Sequence, residues 1–224
     1  MPINKKLKVL FVHIPKTGGT SISQMLDFST IDDLHFCGSS AKYPVIHNKY
    51  SSSFSLYDYV KLLTRPPQHF TNIELKKIFG NSIDDYYKFT VVRNPYQRIA
   101  SRYNKTIVKK AGSPGYENLT AFVDKFLPME PITRSSSFQG HLETQTSFLL
   151  DENNVIDPSI EIFKFEDLNK CFDKIRQIYP GIPNSHANAS PEYSYKSLYT
   201  DETAAKVYEF YKSDFINFGY SATL

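Results

Sequence analysis

Residues 7–25, LKVLFVHIPKTGGTSISQM, decide the fold of this chain. Residues 7–14 are almost all apolar and have the length of a strand buried on both faces of a parallel sheet. Pro15 ends this run, and the glycines of the turn at residues 16–21 let the backbone approach a ligand. Apolar residues then recur at helical spacing, and a helix N-terminus favours negative charge. The stretch therefore predicts a strand, an anion-binding turn and a helix.

The bulk properties bound the class of protein. The chain has 224 residues with 41% hydrophobic and 15% aromatic content, which excludes a disordered chain and predicts one domain over residues 1–224. A net charge of +3 suits an anionic ligand and falls short of nucleic-acid binding. Residues 1–8 are polar, and the apolar run behind them is too short for a signal peptide or a membrane span, so we expect a cytoplasmic protein.

Strand-like segments near residues 7, 45, 87 and 160 alternate with helical patterns. This order predicts an α/β fold with a central parallel sheet covered by helices on both faces. Ligands of such sheets bind at the carboxyl ends of the strands. Lys16 and Arg93 each follow a predicted strand, so we expect both cations on the same rim of the sheet.

Two helices have clear signals in the sequence. Asn94 is a good N-cap and Pro95 suits the first helical position. The apolar stripe of this helix leaves Arg98, Arg102 and Lys105 off it. Because charged residues on a helix flank are usually solvated or locally paired, Arg98 and Arg102 have only a weak case for phosphate contact. A stripe made by Val207, Tyr208, Tyr211 and Phe215 predicts one final helix.

The turn and the second strand end together resemble a known family. HIPKTGGTSI at residues 13–22, followed by FTVVRNPYQRIASRY at residues 89–103, resembles the sulfotransferases, most closely the carbohydrate O-sulfotransferase branch. The resemblance implies a P-loop-like sulfotransferase fold. It also implies 3′-phosphoadenosine 5′-phosphosulfate (PAPS) as the sulfuryl donor and 3′,5′-adenosine bisphosphate as the product, with no metal.

The resemblance assigns roles to individual residues. Lys16 becomes the catalytic cation beside the oxygen that bridges phosphate and sulfate, where negative charge grows. Arg93 and Ser101 become the ligands of the 3′-phosphate. The residues that cradle the 5′-phosphate are Thr17, Gly18, Gly19, Thr20 and Ser21. The alternatives are a surface turn with a solvated lysine and a structural ion pair at Arg93.

Transfer to a hydroxyl also needs a base, which contributes roughly 10²–10⁴-fold in rate. His47 falls in the region where relatives with a histidine base carry it, although a local alignment could place Tyr50 there instead. His141, His35 and an acidic residue remain alternatives. His141 and Gln145 are four residues apart, so on a helix they would share one face, either toward the acceptor or with no role.

The resemblance implies transfer of a sulfuryl group from PAPS to an acceptor hydroxyl, on a saccharide or glycoconjugate. One alternative is a P-loop nucleotide kinase, but a Walker loop places its lysine after the last glycine, whereas Lys16 precedes Gly18 and Gly19. The other alternative is a non-catalytic protein that retains the nucleotide pocket. No pattern in the sequence identifies the acceptor.

Overall fold

The computed structural model describes residues 3–26, 69–110, 112–129, 140–182 and 195–224. Three residues weighed as bases or base positions lie outside the described residues, namely His35, His47 and Tyr50, and so does the predicted strand near residue 45.

The described strands form one sheet in the order β1-β2-β3-β4. The strands are β1 (Ile3–Asn4), β2 (Val9–Val12), β3 (Tyr87–Val92) and β4 (Ile160–Lys164). Strands β2, β3 and β4 are parallel, and β1 is an antiparallel edge that the sequence did not predict. Within the described residues the α-helices are α1 (Gly19–Met25), α2 (Asn72–Phe79), α3 (Pro95–Lys110), α4 (Leu119–Phe126), α5 (Gln145–Leu149), α6 (Leu168–Ile178), α7 (Asp201–Phe210) and α8 (Lys212–Phe218). The predicted α/β class is confirmed.

Strands β2 and β3 are buried on both faces, as their apolar residues predict, whereas the edge strand β4 is largely exposed. Alternate residues of β2 point to opposite faces, so Val9 and Phe11 pack with α1 and α6, whereas Leu10 and Val12 pack with α2, α5 and α8. A further apolar cluster joins α3 and α4 to α7 and α8. The sheet is therefore a rigid platform for the segments that leave its strand ends.

The register of the sheet brings two strand ends together. Val12 pairs with Thr90 across β2 and β3, and the Thr90 hydroxyl donates to the Val12 carbonyl at 2.7 Å. The chain therefore leaves β2 toward Lys16 and β3 toward Arg93 at the same edge of the sheet.

Helix α3 begins where the sequence predicts. The Asn94 side-chain oxygen accepts from the amides of Tyr96 at 2.9 Å and Gln97 at 3.4 Å, which is the N-cap geometry. The expectation that Arg98 and Arg102 are solvated is wrong, because both side chains are buried. A helical wheel separates apolar from charged residues, but it cannot show that other segments bring carbonyl groups to a charged side chain.

Two further expectations about helices are wrong. The predicted final helix is two helices, α7 and α8, that meet at Tyr211. The Tyr211 hydroxyl donates to the Leu142 carbonyl at 2.7 Å, and the change of direction lets Phe218 reach the core under the sheet while Val207 packs in the helical layer. Helix α5 starts only at Gln145, so His141 lies in the turn before it and the two side chains share no helical face.

No helix in the described ranges is long and apolar enough to cross a membrane.

Candidate active site

The turn after β2 has the backbone of a ligand-binding loop. Lys16 has φ +72° and Gly18 has φ +90°, so two residues of the turn adopt the left-handed region. A lysine rarely adopts this conformation, and such strain is concentrated at functional sites. The buried Thr17 hydroxyl donates to the Ile14 carbonyl at 2.8 Å and so stabilises the turn itself.

The two glycines of the turn are required by close packing. A Cβ atom on Gly19 would lie 1.9 Å from His13 Nε2, which no side chain could tolerate without moving the His13 ring. A Cβ atom on Gly18 would lie 3.2 Å from both Phe165 and Leu168, at a φ that disfavours side chains. The turn is therefore pressed between β2 on one side and the start of α6 on the other.

The Arg93 guanidinium lies against the same turn. Its Nη1 donates to the Lys16 carbonyl at 3.4 Å, and its Nε donates to the Gln97 side chain at 3.3 Å. The guanidinium carbon lies 4.1 Å from the centre of the Phe165 ring, which is a cation–π contact. Burial lowers the pKa of Arg93, and Glu166 acts in the opposite direction. No described acidic residue forms an ion pair with Arg93, so the structural ion pair considered from the sequence is not found among these residues.

Gln145 holds the backbone of Arg93. The Gln145 Oε1 accepts from the Arg93 amide at 2.8 Å, and the Gln145 Nε2 donates to the Arg93 carbonyl at 2.8 Å. The side chain is fully buried. Of the two possibilities left open for Gln145, a side chain directed toward the acceptor does not apply, because its amide is hydrogen-bonded to the main chain of Arg93 at the end of β3.

Arg98, which lies on α3, contacts both the segment before Lys16 and the turn at residues 140–143. Its Nε donates to the Pro15 carbonyl at 3.1 Å, and its Nη1 donates to the Glu143 carbonyl at 2.8 Å. Its Nη2 reaches the carbonyls of Gly140 at 3.5 Å and His141 at 3.3 Å. The buried guanidinium is thus satisfied by main-chain acceptors, and its weak case for phosphate contact fails.

Three other cationic side chains lie near Lys16. Burial lowers the pKa of Lys16, the charges of Lys105, Arg102 and Arg93 act in the same direction, and together they bring this pKa to about 8. Among the described residues, the charges that shift this pKa are all positive. A cluster of partly buried cations favours an anionic ligand, and such a ligand would raise the pKa of Lys16 again.

Three histidine rings line up beside the turn. His69 lies between His13, at 4.6 Å between ring centres, and His141, at 5.0 Å. His69 Nδ1 is 3.2 Å from the His13 carbonyl, which can only accept, so the proton lies on Nδ1. When the ring is neutral, Nε2 is then the nitrogen that carries the lone pair.

His141 differs from His69 in its protonation and its tautomer. Burial lowers its pKa well below the ordinary range, and Arg102, His69, Arg98 and Lys16 act in the same direction, so the ring is neutral. Its Nδ1 is buried without a hydrogen-bond partner among the described residues. A buried N–H without an acceptor is rare, so the neutral ring keeps its proton on Nε2.

Sequence reasoning missed His69 and the structural roles of Arg98 and Gln145. The capping box of α2, in which the Thr71 side chain accepts from the Glu74 amide, is readable in the sequence and places His69 just before a helix. Nothing in the sequence pairs that helix start with the end of β2, because the contact is tertiary.

The structure brings most of the predicted cofactor residues to one edge of the sheet. Thr20 is exposed, Ser21 is buried, and Ser101 is partly exposed on α3.

Within the described ranges no group of three or more histidine, cysteine, aspartate or glutamate residues could hold a metal ion, and this includes the three histidines.

Comparison with protein-family models matches residues 1–221 to the model described as the sulfotransferase family. Searches of curated proteins and of solved structures found no match. The matched range contains the turn at Lys16 and the strand end at Arg93, and it covers nearly the whole chain, so the protein belongs to the sulfotransferase family.

Proposed function

We propose that this protein transfers a sulfuryl group from PAPS to a hydroxyl group of a carbohydrate acceptor. One observation carries the proposal. Two cations from distant parts of the chain, Lys16 and Arg93, lie at the carboxyl ends of neighbouring parallel strands, and Arg93 Nη1 contacts the Lys16 carbonyl at 3.4 Å. A donor with anionic groups at both ends of its adenosine needs two such cationic positions.

The residues of the site fit this donor. The His13 ring fills the space that a Gly19 side chain would take, so a glycine is needed for the turn to keep its present shape. The cations around Lys16 match an anionic ligand. When bound, PAPS supplies an activated sulfuryl group with a phosphate as leaving group.

The chain's own residues have separate tasks in this proposal. Lys16 places positive charge beside the bridging oxygen, and the backbone from Thr17 to Ser21 binds the 5′-phosphate. Arg93 binds the 3′-phosphate with its planar fork, and Ser101 adds a hydroxyl from α3. We further propose that residues 1–224 form one sulfotransferase domain; the cytoplasmic location stays a prediction from the sequence.

The base has two candidates in this proposal. The resemblance implies His47, which lies outside the described residues. The described residues favour His69, because the His13 carbonyl fixes its proton on Nδ1 and leaves the lone pair on Nε2. His141 fits a hydrogen-bond donor better than a base, since its proton lies on Nε2.

Isothermal titration calorimetry tests the donor site. We expect 3′,5′-adenosine bisphosphate to bind roughly 10- to 100-fold more tightly than 5′-AMP or ATP, because charge-assisted hydrogen bonds to the 3′-phosphate contribute about 1.5–3 kcal/mol. Arg93→Ala should remove this preference. The control Arg176→Ala deletes an exposed arginine that pairs with Asp173, and it should keep the preference.

Equal affinity of the wild-type protein for the three nucleotides would overturn the donor assignment. A preference for the bisphosphate that survives Arg93→Ala would keep the donor and overturn the role of Arg93.

A further inference from the structure

We propose that Gln145 is the positioning residue of the 3′-phosphate site, which it serves by holding the main chain of Arg93 with a pair of amide hydrogen bonds. This inference rests on the proposed function, because it assigns the preference for a 3′-phosphorylated nucleotide partly to a residue that does not touch the nucleotide.

The two hydrogen bonds from Gln145 take the place of those that a neighbouring strand would make to Arg93. Strand β3 ends at Val92, so the amide and carbonyl of Arg93 lie just beyond the ladder that holds β3 to its neighbours. The side-chain amide of Gln145 offers one acceptor and one donor, the same groups as a backbone peptide. Both of its hydrogen bonds to Arg93 are 2.8 Å long. The amide and the carbonyl of Arg93 are therefore both hydrogen-bonded, although this residue lies outside the strand.

Gln145 is itself fixed by its main chain. The Gln145 amide donates to Asp214 Oδ2 at 2.8 Å, and the neighbouring Thr146 donates to Asp214 Oδ1 from its amide at 2.8 Å and from its hydroxyl at 2.9 Å. Gln145 and Asp214 are both fully buried. The chain of contacts from α8 through the first residue of α5 thus ends on the backbone of Arg93.

The other end of Arg93 shows why its backbone matters. The guanidinium has weak lateral support, with hydrogen bonds of 3.3 Å to Gln97 and 3.4 Å to the Lys16 carbonyl and one ring contact to Phe165. Its direction is therefore set largely by the main chain from which it extends. A bidentate contact depends on this direction, since a small displacement misaligns both of its hydrogen bonds.

Other residue types would not reproduce the contact. Glutamate at this position has the same length and can accept from the Arg93 amide, but it cannot donate to the Arg93 carbonyl and would place a charge against it. Alanine would leave both main-chain groups of Arg93 without these partners. We therefore expect each substitution to loosen Arg93.

Nucleotide affinities of Gln145→Ala and Gln145→Glu test the proposal. Relative to wild type, each variant should bind 3′,5′-adenosine bisphosphate about tenfold more weakly, the equivalent of one to two hydrogen bonds, with little change for 5′-AMP. The matched control is Asn72→Ala, which deletes another buried amide that donates to Asp157 at 2.9 Å and to the Leu150 carbonyl at 3.4 Å. The control should lose stability and retain the nucleotide preference. If Gln145→Ala does not fold, Gln145→Glu supplies the measurement.

A double-mutant cycle with Arg93→Ala separates positioning from general destabilisation. If Gln145 acts through Arg93, the double variant binds the bisphosphate as weakly as Arg93→Ala alone, because there is no guanidinium left to position. Additive losses, or a bisphosphate preference that Gln145→Ala and Gln145→Glu both retain, would overturn the inference while the proposed function stands. A wild-type protein without the bisphosphate preference would instead overturn the proposed function.

Discussion

At the scale of the residue, protonation decides which histidine can act as the base. His69 donates from Nδ1 to the His13 carbonyl, so its other nitrogen has the lone pair that a base needs. His141 has a lowered pKa through burial and the surrounding cations, and its buried Nδ1 lacks a partner among the described residues. His69 can therefore accept a proton at Nε2, whereas His141 can donate one from Nε2.

We expect His69→Ala to lower turnover by roughly 10²–10⁴-fold, the usual contribution of a general base. The nucleotide affinity should stay close to that of wild type, because the ring is assigned to the acceptor hydroxyl. The measurement is kcat and the bisphosphate dissociation constant for His69→Ala, with His47→Ala and His141→Ala made in parallel. Near-normal turnover of His69→Ala together with a large loss in His47→Ala would return the role to His47.

The sequence predicted some of these residues and missed others for a physical reason. Lys16 and Arg93 could be placed on one rim because each follows an apolar strand, and parallel strands end at a common edge. The roles of Arg98 and Gln145 could not be predicted, because their partners are main-chain atoms far away in the sequence. Arg98 donates to the carbonyls of Pro15 and Glu143, and Gln145 donates to that of Arg93.

At the scale of the element, helix α3 links the parts of the site. Its N-cap Asn94 follows Arg93 directly, and the Asn94 amide donates to Glu166 Oε1 at 3.0 Å, so the start of α3 is tied to the segment before α6. One turn further, Arg98 reaches the Pro15 carbonyl and the turn at residues 140–143. The helix therefore fixes the turn at Lys16 and the turn at residues 140–143 relative to Arg93.

Arg98→Met should lower the free energy of unfolding by about 3 kcal/mol, because several buried carbonyl groups lose their donor. Urea unfolding gives the measurement. The control Arg176→Ala removes an exposed ion pair on α6 and should change the free energy by less than about 1 kcal/mol. A loss in Arg98→Met no larger than in this control would contradict the linking role of Arg98.

The elements themselves were predictable where their signals are local. The strands near residues 7, 87 and 160 and the start of α3 at Asn94 follow from apolar runs and capping residues. The two-residue strand β1 and the break at Tyr211 did not follow. Strand β1 exists only through its pairing with β2, and the break coincides with the hydrogen bond from Tyr211 to Leu142.

At the scale of the whole molecule, the sheet carries the turn at Lys16 and the strand end at Arg93 on one edge. The turn at Lys16 follows β2, Arg93 follows β3, and Phe165 follows β4. The Phe165 ring packs against both Arg93 and Gly18. Helices α5 and α8 support this rim through Gln145 and Asp214. The family assignment thus agrees with a site built from strand ends of distant sequence.

Transfer of labelled sulfate from PAPS to a library of saccharide acceptors tests the central claim most directly. The account predicts that the wild-type protein sulfates an acceptor hydroxyl. It also predicts that Lys16→Ala, which removes the cation beside the leaving oxygen, lowers kcat by roughly 10²–10³-fold. Tight binding of 3′,5′-adenosine bisphosphate without transfer to any acceptor, or unchanged turnover in Lys16→Ala, would contradict it.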